Sequence, residues 1–231
     1  MDSSLASILY CITGLLLASS ASYVWIRERK PFSSPWFMAA SVALLGWISA
    51  LYVYQYFSTP ERVLQAGRLS LAMAVLAVYA TYRFTRTLAK HPILPIDHAL
   101  GWGAALLAIA SAATPWVVRV ERVGDVAGFH QSLYGWLAPV YLLYLVSLLV
   151  LVVMIAFWER KNGKADATVQ SRLAALGIGI LVATTALFFT NLVIPLVWGS
   201  YRGINIGPIL VLLVMPVVAF ARVASLSRAR H

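Results

Sequence analysis

Apolar runs of about 20 residues, each long enough to cross a bilayer as a helix, alternate along the chain with short polar breaks that hold most of its charges. Seven such runs are approximately Leu5–Trp25, Trp36–Phe57, Val63–Tyr82, Ile96–Ala113, Leu137–Trp158, Leu173–Trp198 and Ile206–Ala221. The pattern predicts an all-α integral membrane protein: one seven-transmembrane-helix bundle over residues 1–231. The third run contains Arg68, and the fourth begins beside Asp97 and His98.

Composition agrees with the pattern. Of 231 residues, 61% are hydrophobic and 11% charged, with a mean hydropathy of +0.82, far from the balance of soluble domains. Charge adds an orientation. With the N-terminus outside, 13 of the 18 Lys and Arg residues fall in cytoplasmic segments, and basic residues beside a span are retained on that side. The C-terminus is then cytoplasmic too. Because the net charge of +10 is scattered over helix ends instead of forming a stripe, nucleic acid is not an expected partner. Membrane lipids are, since "IRERK" and "WERKNGK" attract anionic headgroups. The start "MDSS" carries an acid and no base, so the first run reads as a retained helix and not a cleaved leader. Cys11, the single cysteine, lies within it and has no partner for an intrachain disulfide.

The longest outer segment, 114–135, reads "TPWVVRVERVGDVAGFHQSLYG". Val118 and Val120 alternate with Arg119 and Glu121 ahead of a Gly124-Asp125 turn signal, so the segment is either a short hairpin serving as a candidate lid or an irregular surface loop. Trp25, Trp36, Trp116, Trp136, Trp158 and Trp198 sit at helix ends as headgroup anchors, while Trp47 and Trp102 fall inside spans and are expected to pack there. Gly101 and Ala105, and Ala104, Ala108 and Ala112, place small residues on one face of helix four. That face is expected to pack within the bundle, with a homodimer contact as the alternative.

Polar residues inside apolar runs mark candidate sites. In "FFTNLVIPLVWG", Pro195 deprives the Asn191 carbonyl of its helical partner and kinks the helix. The Asn191 amide must then face the bundle interior, as an interhelical hydrogen bond or as a hinge and pocket wall. Pro208 and Pro216 repeat the device in helix seven. Glu61, Gln65 and Arg68 share one helical face; Arg68 either holds a ligand carboxylate or phosphate, snorkels, or pairs with Glu61. Asp97 is placed to act as an acid at a helix N-terminus.

Several functions are excluded. Lys30, Lys90, Lys161 and Lys164 all fall in inner loops, so no helix offers the amine of a retinal Schiff base. There is no HExxH pair, no metal-spaced cluster and no paired intramembrane carboxylates. His91, His98, His130 and His231 leave no mid-membrane pair for a haem. Enzymatic activity and a cofactor are therefore not expected.

The chain resembles the N-terminal seven-helix membrane region that precedes bacterial histidine kinase and related output domains. The features that carry the resemblance are the Arg27 to Lys30 break, "TPWVV", "GWLAPVYLLYLVSLLVLVV", "FFTNLVIPLVWG" and "NIGPILVLLVMPVVAFARV", together spanning roughly residues 5–223. The match places Asn191, Pro195, Gly207 and Pro208 on recurring family positions in helices six and seven. It implies a multi-pass protein of the bacterial inner membrane that senses a ligand for a two-component system. In the family helix seven continues into a cytoplasmic transmitter, whereas this sequence ends at "ASLSRARH". An input domain of a longer kinase and a stand-alone protein acting through a partner both stay open.

The expected function is a sensor whose outer-half pocket, lined by Arg68, Gln65, Asn191, Trp47, Tyr54 and Tyr134, binds a small or lipid-like ligand. Hinges at Pro195, Pro208 and Pro216 would pass the signal to a histidine kinase-type output domain or partner protein. The alternatives are a non-catalytic accessory subunit of a membrane complex and, behind it, a transporter.

Overall fold

Proline stands in the first turn of four helices in the computed structural model, which describes residues 3–27, 34–56, 59–123, 130–162, 167–188 and 213–218. Helices α1 (Ser3–Arg27), α2 (Ser34–Tyr56), α3 (Pro60–Leu88) and α4 (Pro95–Ala113) precede strands β1 (Val118–Val123) and β2 (His130–Tyr134). Helices α5 (Ala138–Asn162) and α6 (Ala167–Phe188) and a short helical segment at 213–218 complete the described chain. Pro60 and Pro95 stand in the first turns of α3 and α4, where a missing N–H costs nothing, with Glu61 and Asp97 beside them. The end of α3 is closed by His91 N–H donating to the Arg86 carbonyl at 3.0 Å, with Lys90 in the left-handed region at φ 58°.

Four of these helices, α2 to α5, are long and apolar enough to cross a membrane; the apolar stretches described in α1 and α6 are shorter, Cys11–Tyr23 and Val169–Thr185. Of the seventh expected span only 213–218 is described. The outward faces are apolar, as in α5, where Leu142, Leu143, Val146, Val150 and Met154 are all exposed.

Helix α3 is the hub: it packs against α2, α4, α5, α6 and β1. Between Ala80 and Thr85 every residue is buried, so this stretch is enclosed on all sides. Phe37 and Phe84 meet edge to face with ring centroids 5.3 Å apart. Gly46 brings α2 close to α3, since a Cβ there would lie 2.9 Å from Met73 Sδ. Several hydroxyls inside helices bond back to the preceding turn, as Thr81 to Ala77 O and Thr85 to Thr81 O, each at 2.7 Å.

Two sequence expectations need correction. Helix α3 runs six residues beyond the expected end at Tyr82 and so includes Arg83 and Arg86, which the expected bounds leave outside the span; Arg83 lies over the Trp36 ring, and the partners of Arg86 are described below. Trp36, at the start of α2, packs edge to face on Tyr79, with centroids 5.9 Å apart. Trp102 does not pack inside: it is 72% exposed, because α4 turns Ala104, Leu107, Ala108 and Ser111 inward and Trp102 lies on the opposite face. The small-residue face is thus used within the bundle.

The outer segment forms the expected hairpin. Strand β1 pairs antiparallel with β2, Glu121 opposite Ser132 and Val123 opposite His130, while the Gly124-Asp125 turn lies outside the described residues. At its base Gly135 N–H donates to Val117 O at 2.8 Å and Leu137 N–H to Trp116 O at 2.9 Å. A Cβ on Gly135 would come within 2.1 Å of the Trp116 carbonyl oxygen. The Gly135→Ala variant is therefore expected to melt several degrees lower in detergent, a loss of roughly 1–3 kcal/mol from forced displacement of backbone, while Gly14→Ala, in open packing, leaves the melting temperature unchanged.

Candidate functional site

Arg68 is already engaged. Its Nε and Nη2 both donate to the Val118 carbonyl, at 3.2 and 3.1 Å, fastening the start of β1 to α3. A guanidinium fork directed at one carbonyl holds the hairpin against the bundle. Gln65, one turn earlier, and Tyr134 are exposed, and Tyr54 is half-buried near the end of α2. Among the described residues Arg68 forms no ion pair with Glu61. Asn191, Pro195 and Pro208 lie outside the described residues; Pro216 is buried within the 213–218 segment.

A cavity of about 180 Å³ opens between helices near the middle of α3. It forms where α3 presents Ala74 and Ala77, with Val78 and Thr81 beside them, and the facing residues do not fill the gap. Leu44 and Trp47 of α2, Leu145 and Leu149 of α5, Ile180, Ala183 and Thr184 of α6, and Val214 and Met215 complete most of the wall. Two hydroxyls reach it, Thr81 and Thr184, and both are spent on their own helices, at Ala77 O and Ile180 O. The wall is therefore hydrocarbon in character. Engineered apolar cavities of about 150 Å³ stay dry and admit benzene, so a ring or a short hydrocarbon chain fits here and a charged group does not. Of the pocket residues expected from sequence, only Trp47 lines this cavity among the described residues; Arg68, Gln65, Tyr54 and Tyr134 do not.

The end of the bundle away from the hairpin holds a buried polar cluster. Asp97, 1% exposed, accepts from Leu94 N–H and from the Tyr82 hydroxyl, each at 2.7 Å, and pairs with Arg86 Nη1 at 3.4 Å. Arg86 Nη2 also donates to Pro92 O, and the Tyr79 hydroxyl donates to the Asp97 carbonyl at 3.1 Å. His91 Nε2 lies 2.8 Å from Glu159 Oε1, joining the α3–α4 turn to the end of α5. Tyr141 and Tyr144 of α5 donate to Leu71 O and Leu100 O, each at 2.7 Å.

The role of Asp97 at a helix N-terminus is thus as expected. The tyrosine ties and the buried arginines were missed, although "YATYRFTR" and "YLLY" carry a signal: Tyr79, Tyr82, Arg83 and Arg86 fall at i, i+3, i+4 and i+7, a single helical face. Among the described residues no group of three or more His, Cys, Asp or Glu side chains stands ready for a metal. The chain matches no protein-family model and no curated protein.

Two outcomes follow for these polar groups. Arg68→Met is expected to release the hairpin, so that limited proteolysis within 118–134 accelerates while the helical core stays folded, a local loss of roughly 1–3 kcal/mol. Asp97→Ala strands Tyr82, Arg86 and the Leu94 N–H together and is expected to cost the whole bundle roughly 3–5 kcal/mol, read as a global fall in melting temperature.

Proposed function

We propose that the protein is a membrane sensor that admits an apolar, lipid-like ligand to the cavity between α2, α3, α5, α6 and 213–218. One observation carries the reading: a cavity of about 180 Å³ walled by hydrocarbon lies where five helical segments meet, one of them the segment that contains Pro216. A ligand there touches all five at once. It favours whichever arrangement of helices gives it better contact, and the shift equals its difference in affinity between the two arrangements. Gly179 brings α6 so close to 213–218 that a Cβ would lie 2.9 Å from Val214, so the two are expected to move as a pair.

In this proposal the protein is a seven-helix bundle of the bacterial inner membrane with its N-terminus outside. The last helix carries the signal to a histidine kinase-type output domain or partner, as the sequence resemblance implies. The binding region is placed at mid-depth around Trp47 instead of the outer half.

The test is thermal melting of the purified protein against quinones, acyl signals and prenyl alcohols, with amino acids as polar controls. The expected result is a rise in melting temperature from an apolar compound, growing with the logarithm of its concentration and worth about 2.7 kcal/mol at a hundredfold excess over Kd. Ala183→Leu, which fills the cavity, is expected to abolish that response while keeping the fold. If no compound stabilises the wild type and a membrane protein co-purifies in fixed stoichiometry, the accessory-subunit reading replaces this one.

A further inference from the structure

The two hydroxyls on the wall of the apolar cavity are in the same chemical state. Buried Thr81 donates its proton to Ala77 O at 2.7 Å, and Thr184 donates to Ile180 O at 2.7 Å and to Leu181 O at 3.1 Å. A hydroxyl has one proton and two lone pairs, so each of these side chains has given its donor to the backbone and keeps its capacity to accept. Towards a guest molecule both threonines are acceptors.

Local geometry holds the protons where they are. Each receiving carbonyl lies one turn earlier on the threonine's own helix, so the bond is kept however α3 and α6 stand relative to each other. A guest whose polar atom only accepts, such as a ketone, a quinone or an ether, meets these oxygens lone pair to lone pair, or must draw a proton away from a carbonyl. One that carries an O–H adds a bond without breaking any. Trp47 brings an indole N–H, a donor that serves a hydroxyl oxygen and a carbonyl oxygen alike, so it does not discriminate between them. The side chains on the rest of the described wall are hydrocarbon and the thioether of Met215, which require the body of the guest to be apolar and uncharged.

We propose that the cavity takes a neutral apolar molecule bearing a hydroxyl donor, a phenol or a small alcohol, and that the oxygens of Thr81 and Thr184 accept its proton. The inference rests on the cavity being the ligand site, and it names the chemical class that the site prefers. About 180 Å³ suits a single substituted ring, since cavities of about 150 Å³ admit benzene. Thr81 belongs to α3 and Thr184 to α6, so the two acceptors stand on different walls, and single substitutions separate their shares.

The test uses the full chain in detergent with para-fluorophenol and para-fluorotoluene, rings of nearly equal shape that differ by a hydroxyl against a methyl, each followed by fluorine NMR. Ala183→Leu, which fills the cavity, supplies the signal of probe dissolved in the micelle alone. Wild type is expected to bind both probes. Thr81→Val combined with Thr184→Val is expected to bind the phenol roughly three- to tenfold more weakly, the effect of one neutral hydrogen bond, and the toluene as wild type does. Comparing variants with the same probe cancels the difference in solubility between the two rings. Thr81→Ser combined with Thr184→Ser keeps both hydroxyls and is expected to retain the wild-type affinity for the phenol. If the double valine variant binds both probes as wild type does, or weakens both to the same degree, the hydroxyl preference is overturned while the cavity stands as a ligand site. Should wild type give no signal that Ala183→Leu removes, the cavity reading falls and this inference falls with it. Where the valine variants do not fold, the O–H stretching band of phenol bound to wild type decides, after subtraction of the Ala183→Leu spectrum: a band at lower frequency than in hydrocarbon solvent supports donation to the wall, and an unshifted band overturns it.

Discussion

One buried carboxylate holds together the end of the bundle where α3 meets α4. Asp97 receives a phenol, a backbone amide and a guanidinium, and thereby compensates a charge that α3 carries into the interior. Without an acceptor at that point Arg86 would face hydrocarbon, and an unpaired charge there costs several kcal/mol. Because the same side chain bonds Leu94 N–H, it also sets where α4 begins, so the α3–α4 turn and the charge balance of the bundle are one feature. Tyr79 and Tyr82 extend it, tying both faces of the turn to a helix surrounded by others.

Enclosure of α3 explains the division of labour along its length. Towards its ends it carries polar ties, Arg68 to the hairpin and Arg86 to Asp97, while its middle is mostly apolar, with Ala74 and Ala77 beside the cavity. Association between helices in a bilayer gains little from the hydrophobic effect and relies on close packing and hydrogen bonds. Polar ties at both ends therefore hold the helix in place without requiring its middle to be filled. The cavity beside Ala74 and Ala77 is tolerated because the constraints that fix α3 lie elsewhere. A bundle built in this way has a soft centre between firm ends.

The sequence made the helical architecture and the hairpin legible, because long apolar runs and a short alternation of valine with charge are local patterns. Asp97 was legible too, since an acid in the first turn of a helix has a local reason to be there. Arg83 and Arg86 fall outside the expected span because the apolar run weakens at Tyr82, and a rule based on hydropathy ends a span where charge begins. What keeps the helix inside is Asp97, 11 to 14 residues further along, and no local pattern announces that pairing. The cavity was invisible for a similar reason: it is a mismatch among five segments distant in sequence. Arg68 was rightly singled out as unusual, yet its partner is a backbone carbonyl 50 residues away, which side-chain identity does not encode.

The enclosed position of α3 also bears on how the chain enters the membrane. A helix that carries two largely buried arginines near its end relies on its neighbours to receive them. The partner that offsets the charge of Arg86 lies on α4, which is synthesised later, and the surface that receives Arg83 lies on α2, which is synthesised earlier. The final packing of α3 is thus a collective event, complete only when both α2 and α4 lie beside it.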